Sequence, residues 1–193
     1  MSDGAPLRLQ VVIASTRPGR VGLPVARWFD THAQAHAGFV TEVVDLAEWD
    51  LPMIDEPHHP RLGTYEHEHT RRWSRQVQAA DAFVMVMPEY NYGFNAALKN
   101  AIDYLHHEWR DKPVGFVSYG GVAAGTRAVQ MLKQVLTTLR MVPVFESVNI
   151  PFVHNLIGDD GELAPNEIMD QAAVAMLDEL ARIGRALAPL RAG

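Results

Sequence analysis

The sequence predicts an α/β protein in which a parallel sheet lies between two layers of helices. Apolar stretches of strand length alternate along the chain with longer segments whose apolar residues recur at helical spacing. Residues 82–87 (AFVMVM) are apolar without a break, which indicates a strand buried on both faces, as in parallel sheets. Parallel strands need crossover connections, and the intervening helices provide them.

Five strands and five helices are expected in strict alternation. The strands are predicted over residues 9–14, 39–46, 82–87, 113–118 and 141–145. The helices are predicted over residues 23–36, 66–80, 95–105, 123–139 and 166–187, with long irregular segments over residues 47–65 and 146–165. Asn95 is expected to cap the third helix, because its short amide side chain suits that position. No repeat or linker divides the chain, so a single domain over residues 1–193 is expected.

The strand order is inferred from two motifs that are absent from the turn after the first strand. After the first strand the chain reads ASTRPGR, without the G-x-G-x-x-G fingerprint of dinucleotide-binding folds and without a P-loop. Five strands then fit the flavodoxin-like order 2-1-3-4-5, a three-layer sandwich whose ligand site lies at the switch between strands one and three.

Composition narrows the function classes. The chain has 193 residues, is 48% hydrophobic and carries a net charge of −6 without a basic block, which favours a globular protein and argues against nucleic acid as a partner. It has no cysteine, so disulfides, thiolate metal sites and cysteine catalysis are excluded. No signal peptide and no membrane-spanning run is visible, and a cytoplasmic protein is expected.

The loop after the first strand has the composition of a phosphate site. Ser15 and Thr16 offer hydroxyls, and the helix that follows offers free backbone N–H groups at its positive end. Arg17 and Arg20 add forked, charged donors. A polar helix cap with two solvated arginines remains the alternative for this loop taken alone.

Two further loops suit a flat heterocycle, and in the 2-1-3-4-5 order all three loops meet at one sheet edge. One holds Glu89, Tyr90 and Asn91, and the other follows Ser118 and contains two glycines. Tyr90 or Tyr119 could cover a ring face, and glycine allows the backbone to approach closely. No nucleophile beside a base is visible, so no catalytic residue is expected, and the chemistry is expected to come from a cofactor.

These motifs resemble the NADPH-dependent FMN reductase family of flavodoxin-like quinone and azo reductases. The matching stretches are residues 15–20 (STRPGR), 88–91 (PEYN), 97–103 (ALKNAID) and 118–121 (SYGG), with the phrases at residues 50–52 (DLP) and 55–57 (DEP). One departure is Ala14, where the family usually has glycine, and we expect only a slight shift of the turn. Another is Arg20, where some relatives carry serine or asparagine.

The resemblance implies FMN as the cofactor and NADPH (or NADH) as the hydride donor. It implies an FMN phosphate held by Ser15, Arg17 and the backbone near Arg20, Val21 and Gly22. It implies an isoalloxazine and ribityl chain contacted by Pro88, Glu89, Tyr90 and Asn91, with Ser118, Tyr119, Gly120 and Gly121 along the other edge of the ring. A quinone, azo dye or metal oxyanion would then take electrons in the space that the nucleotide has left. The open alternative is a non-catalytic flavodoxin-like electron carrier or redox-sensing module.

Three remaining features have simple interpretations. His58, His59, His67 and His69 lack a metal-ligand spacing, so solvated histidines and no metal are expected. Trp49, Trp73 and Trp109 are expected to serve packing or an interface. Residues 96–107 are apolar on most sides of the helix, which predicts a homodimer or homotetramer, although a tightly buried helix gives the same pattern.

Overall fold

The computed structural model describes residues 5–191 and has the predicted strand order. The sheet is parallel, with the order β2-β1-β3-β4-β5. The strands are β1 (Leu7–Ile13), β2 (Phe39–Asp45), β3 (Ala82–Pro88), β4 (Pro113–Tyr119), β5 (Val142–Pro143) and β6 (Val148–Ile150). All seven residues of β3 and of β4 are buried, as the unbroken apolar run of residues 82–87 predicts for β3.

Helices cover both faces of the sheet. They are α1 (Gly22–Ala35), the single turn α2 (Leu46–Trp49), α3 (Glu68–Gln78), α4 (Ala96–Asp103), α5 (Thr126–Thr138) and α6 (Glu167–Arg191). One hydrophobic core joins the sheet to α1 and α6, and the other joins it to α3, α4 and α5. This is the three-layer, flavodoxin-like sandwich that the sequence predicts. No helix among residues 5–191 is both long enough and apolar enough to cross a membrane.

The fifth strand differs from the prediction. Residues 141–145 were expected to form one strand, but β5 contains only two residues, and Phe145 is 85% exposed. The chain then returns as β6 and pairs in parallel with the carboxyl half of β4, Val117 facing Val148. The fifth position of the sheet is thus shared by two short strands. Pro143 offers no N–H for a longer ladder at this point.

Asn95 does not cap α4 through its side chain, so that prediction is wrong. Its backbone has the extended conformation of an N-cap residue, yet the side chain makes no capping hydrogen bond. Instead the buried amide Nδ2 donates to the carbonyl of Ala14 at 2.6 Å. The carbonyl just beyond the end of β1 needs a donor, and Asn95 supplies it from the start of α4.

Two tryptophans hold α4 in place through their indole N–H groups. Trp73 and Trp109 are each 1% exposed, and their indole N–H groups donate to the carbonyls of Ala101 and Ile102. Trp49 is half-buried under the Arg72 guanidinium. The packing role predicted for these residues is confirmed.

Candidate functional site

The three predicted loops meet at the carboxyl edge of the sheet, around a cavity of about 330 Å³. Its position between the ends of β1, β3 and β4 is the switch point where such sheets bind ligands. The lining residues are Arg17, Arg20, Val21, Pro88, Glu89, Tyr90, Tyr119, Gly120, Gly121, Phe152, Val153, His154 and Asn155. Nine of these thirteen carry a sequence-based prediction; the other four belong to the segment after β6.

The first loop presents hydrogen-bond donors at the amino end of α1. Ser15 is fully buried, and its Oγ has no hydrogen-bond partner among residues 5–191. The first N–H groups of α1 have no acceptor within the helix, and they lie at its positive end. Arg17 is exposed and forms no ion pair with any described residue. These groups suit an anion, as predicted.

Arg20 does not offer a free guanidinium to that anion. Nη1 donates to the Ser15 carbonyl at 2.6 Å, and both terminal nitrogens bind the carboxylate of Asp45, each at 2.5 Å. The hydrogen bonds to Asp45 raise the pKa of Arg20. Asp45 is 7% exposed and also accepts from the N–H of Ala47 at the start of α2. The pair therefore joins the first loop to the end of β2.

The second loop is a tight turn. Tyr90 and Gly93 exchange backbone hydrogen bonds of 2.9 and 3.0 Å, and the central residues Asn91 and Tyr92 have φ of 50° and 71°. Positive φ at both central positions is the geometry of a type I′ turn, which suits asparagine but strains tyrosine. Tyr90 lines the cavity, whereas Asn91 is exposed at the tip of the turn and does not.

Arg127 of α5 holds this turn in place through Glu89 and Tyr92. None of the sequence motifs contains Arg127. Its Nε donates to Glu89 at 2.6 Å, and Nη2 forms a second close contact with the same carboxylate. Its guanidinium lies 3.7 Å from the centre of the Tyr92 ring. The Glu89 side chain is 7% exposed, so the pair neutralises a buried charge at the cavity wall.

The third loop lines the cavity with the backbone of its two glycines. Ser118 is fully buried and donates to the carbonyl of Ala124 at 2.8 Å, so its side chain supports the loop and does not line the cavity. Gly120 and Gly121 line it directly. Gly125, with φ of 82°, allows the chain to turn back, since a Cβ there would lie 2.8 Å from the Ser118 Cβ.

The segment after β6 forms a wall that no motif indicated. Phe152, His154 and Asn155 line the cavity together with Val153. The N–H groups of Phe152 and Val153 donate to the carbonyls of Gly121 and Gly120, which holds this segment against the third loop. Phe152 has a φ of 46°, and a sequence does not reveal that backbone conformation.

Of the four histidines considered for a metal site, three contact neighbouring side chains, and His59 instead accepts from the backbone N–H of Arg61 at 3.1 Å. His69 contacts Asp55 at 2.9 Å, and His58 contacts Glu66 at 3.3 Å. His67 stacks on His69 with ring centres 5.2 Å apart. Within residues 5–191 no three histidine, aspartate or glutamate side chains gather as a metal site would require.

The donor set fits FMN at both ends. A buried, unpartnered Ser15 hydroxyl and the free Arg17 suit a terminal phosphate. Tyr90 and the glycine backbone at residues 120–121 suit a flat ring, because the ring needs a planar wall and a backbone that it can approach closely.

Comparison with known proteins agrees with this chemistry. The model of the NADPH-dependent FMN reductase family matches residues 7–155. An NAD(P)H-dependent FMN reductase of Schizosaccharomyces pombe is 40% identical over 148 residues, 75% of this chain and 74% of the relative. A probable NADPH:quinone oxidoreductase of Oryza sativa subsp. japonica is 30% identical over 139 residues, 67% of this chain and 64% of the relative.

A solved structure has the same fold. The flavoenzyme NAD(P)H:(acceptor) oxidoreductase of Paracoccus denitrificans superimposes with a TM-score of 0.73 at 20% identity, over 91% of this chain and 98% of the other. The family match covers most of the chain and includes all three loops. The chain therefore belongs to the NADPH-dependent FMN reductase family, and it is an NAD(P)H-dependent oxidoreductase that uses FMN.

Proposed function

We propose that this enzyme oxidises NAD(P)H and passes two electrons to a quinone, an azo compound or a similar small acceptor. The observation that carries the proposal is the convergence of three loops on one cavity, with anion donors at one end and flat, backbone-lined walls at the other. When bound, FMN supplies the hydride chemistry, since it accepts a hydride from a nicotinamide and reduces organic acceptors. The protein supplies binding, orientation and shielding from water.

Each loop has its own part in holding the cofactor. Ser15, Arg17 and the N–H groups at Val21 and Gly22 hold the phosphate, and Arg20 keeps the Ser15 turn in place through Asp45. Pro88, Glu89 and Tyr90 form one side of the ring site, with Asn91 shaping the turn. Gly120 and Gly121 form the other side, with Ser118 as their support.

A single cavity favours a ping-pong sequence. The nucleotide and the acceptor would both have to reach the FMN through the cavity that the three loops line. Initial rates measured over a grid of NADPH and quinone concentrations should therefore give parallel double-reciprocal lines. Intersecting lines would indicate a ternary complex and contradict the shared cavity.

A flavodoxin-like electron carrier or redox-sensing module is the second candidate. It shares the fold, and the net charge of −6 is compatible with docking to a basic partner, though it is moderate for 193 residues. The purified holoprotein separates the two: steady oxidation of NADPH or NADH with a quinone panel supports the reductase. Flavin that neither nucleotide reduces would support the carrier.

The same proposal extends to the whole chain. Residues 1–193 act as one domain in the cytoplasm, and the enzyme works as a homodimer or homotetramer. The large apolar residues of α4, Leu98 and Ile102, are buried in their own subunit, so the predicted excess of exposed apolar surface on this helix is not found. The support for an oligomer comes from a groove of about 730 Å³ between α4 and α5.

A further inference from the structure

Tyr119 is the last residue of β4, and its hydroxyl lies beside the first loop. The residue is 4% exposed. A Cβ built on Gly22, the first residue of α1, would lie 2.6 Å from the Tyr119 hydroxyl oxygen and 2.3 Å from Ser15 Oγ. The hydroxyls from the ends of β1 and β4 thus meet at the amino end of α1, where only glycine leaves room for them.

Neither hydroxyl has a hydrogen-bond partner within residues 5–191. A buried hydroxyl without a partner is costly, and most are paired in folded proteins. Ser118 shows the usual outcome one residue away, because its hydroxyl donates to the Ala124 carbonyl. Two buried donors that converge without an acceptor indicate that a ligand provides one.

The surroundings define the charge of that ligand. The N–H groups at the start of α1 add further donors, and Arg17 adds a positive charge at the cavity wall. The nearby carboxylate of Asp45 is already bound by Arg20. A ligand that meets this many donors needs several acceptor oxygens and negative charge, and a phosphate monoester has both.

Tyr119 remains a donor over the working range of pH. Burial raises the pKa of its phenol, while Ser15, Arg20 and Arg17 act in the opposite direction and Tyr90 adds to the increase. Ser15 lies close enough to act on the pKa of Tyr119, yet neither hydroxyl makes a hydrogen bond of normal geometry with any described residue. The phenol therefore keeps its proton and can donate it in a hydrogen bond.

We propose that the Tyr119 hydroxyl donates a hydrogen bond to the terminal phosphate of FMN and so helps the site distinguish FMN from riboflavin. This inference rests on the proposed FMN site. It replaces the expectation that the Tyr119 ring covers a face of the flavin. Tyr119 is then a specificity-determining residue at the phosphate end, and Tyr90 alone remains to cover the ring.

The test compares two flavins and two variants. Dissociation constants for FMN and riboflavin are measured by flavin fluorescence quenching with wild-type apoprotein, Tyr119→Phe and the control Tyr65→Phe. Tyr65 donates to Glu108 and does not line the cavity. We expect Tyr119→Phe to weaken FMN binding by about 10-fold or more, the value of a hydrogen bond to a charged group, and to leave riboflavin binding unchanged. Tyr65→Phe should leave the ratio of the two constants at its wild-type value.

The apoprotein gives a second readout. Removing a hydroxyl that has no partner should not lower the melting temperature of the apoprotein, and inorganic phosphate should stabilise wild type more than Tyr119→Phe. Equal weakening of both flavins, an unchanged FMN constant, or equal stabilisation by phosphate would overturn the inference. Wild-type apoprotein that binds riboflavin as tightly as FMN would overturn it as well. Wild-type protein that binds neither flavin would overturn the proposed FMN site itself.

Discussion

At the scale of single residues, Arg17 and Arg20 show that two like residues on one loop can have different functions. Arg20 is 16% exposed in its side chain and is bound at both terminal nitrogens by Asp45. Arg17 is exposed, borders the cavity and is free of ion pairs within the described chain. Asp45 lies 25 residues beyond Arg20, so the motif alone could not separate the two roles.

This contrast predicts opposite effects for the two alanine variants. Arg17→Ala should weaken FMN binding by about 1.5–3 kcal/mol, because it removes a charge-assisted hydrogen bond, and should leave stability unchanged. Arg20→Ala should lower the free energy of unfolding by about 3 kcal/mol, because it leaves the buried Asp45 carboxylate unpaired. FMN titration and urea unfolding of the apoproteins measure both quantities. Equal losses of stability in the two variants would contradict the assignment.

At the scale of elements, polar side chains tie the ends of strands to helices. The Asn95 amide joins the end of β1 to the start of α4, and Arg127 joins α5 to the second loop. Lys112, just before β4, is 3% exposed, and its Nζ donates to the carbonyls of Val77 and Gln78 at the end of α3. These ties hold the loops that form the cavity.

Lys112 predicts a specific dependence of stability on pH. Burial, with the charge of Arg191, lowers the pKa of Lys112 to about 8, from an ordinary value of 10.5. Between these values the unfolded chain binds a proton that the folded chain does not, so the folded state gains stability as the pH rises. Relative to Lys112→Met, wild type should gain up to about 3 kcal/mol between pH 8 and 10.5.

Urea unfolding of both proteins at several pH values in this window measures the effect. The difference between them isolates Lys112, because tyrosine ionisation at high pH acts on both alike. A difference that stays constant with pH would show that the lysine remains charged in the folded protein.

A strand or helix was predictable from the sequence where its own residues carry a clear hydrophobic pattern. The strand order was predictable because β1, β3 and β4 have apolar runs and the first turn lacks a dinucleotide fingerprint. The strand β6 was missed, because three residues, Val148–Ile150, carry no periodicity. The wall formed by residues 152–155 was missed for the same reason: its place in the site depends on β6 pairing with β4.

At the scale of the whole molecule, the proposed oligomer would use the groove between α4 and α5 as its contact surface. Its walls include Phe94, Met131, Val135 and Leu139, and Met131 is 49% exposed. The groove also contains the Lys99–Asp103 ion pair, which could supply polar contacts of both signs at the edge of an interface. Because Phe94 follows the second loop directly, subunit contact here would also support the Tyr90 turn.

A charge placed in the groove tests this arrangement. Met131→Glu should convert the oligomer into monomers at micromolar concentration, because an interface excludes an unpaired carboxylate, and its far-UV circular dichroism should stay native. Val174→Glu on α6 is the matched control, since Val174 is 47% exposed and lies outside the groove. Light scattering coupled to gel filtration measures the mass of each.

Wild type that elutes as a monomer, or Met131→Glu that keeps the wild-type mass, would show that the groove is not the subunit interface. If Met131→Glu is monomeric and also turns over more slowly than Val174→Glu, the subunit contact supports the flavin site through the second loop.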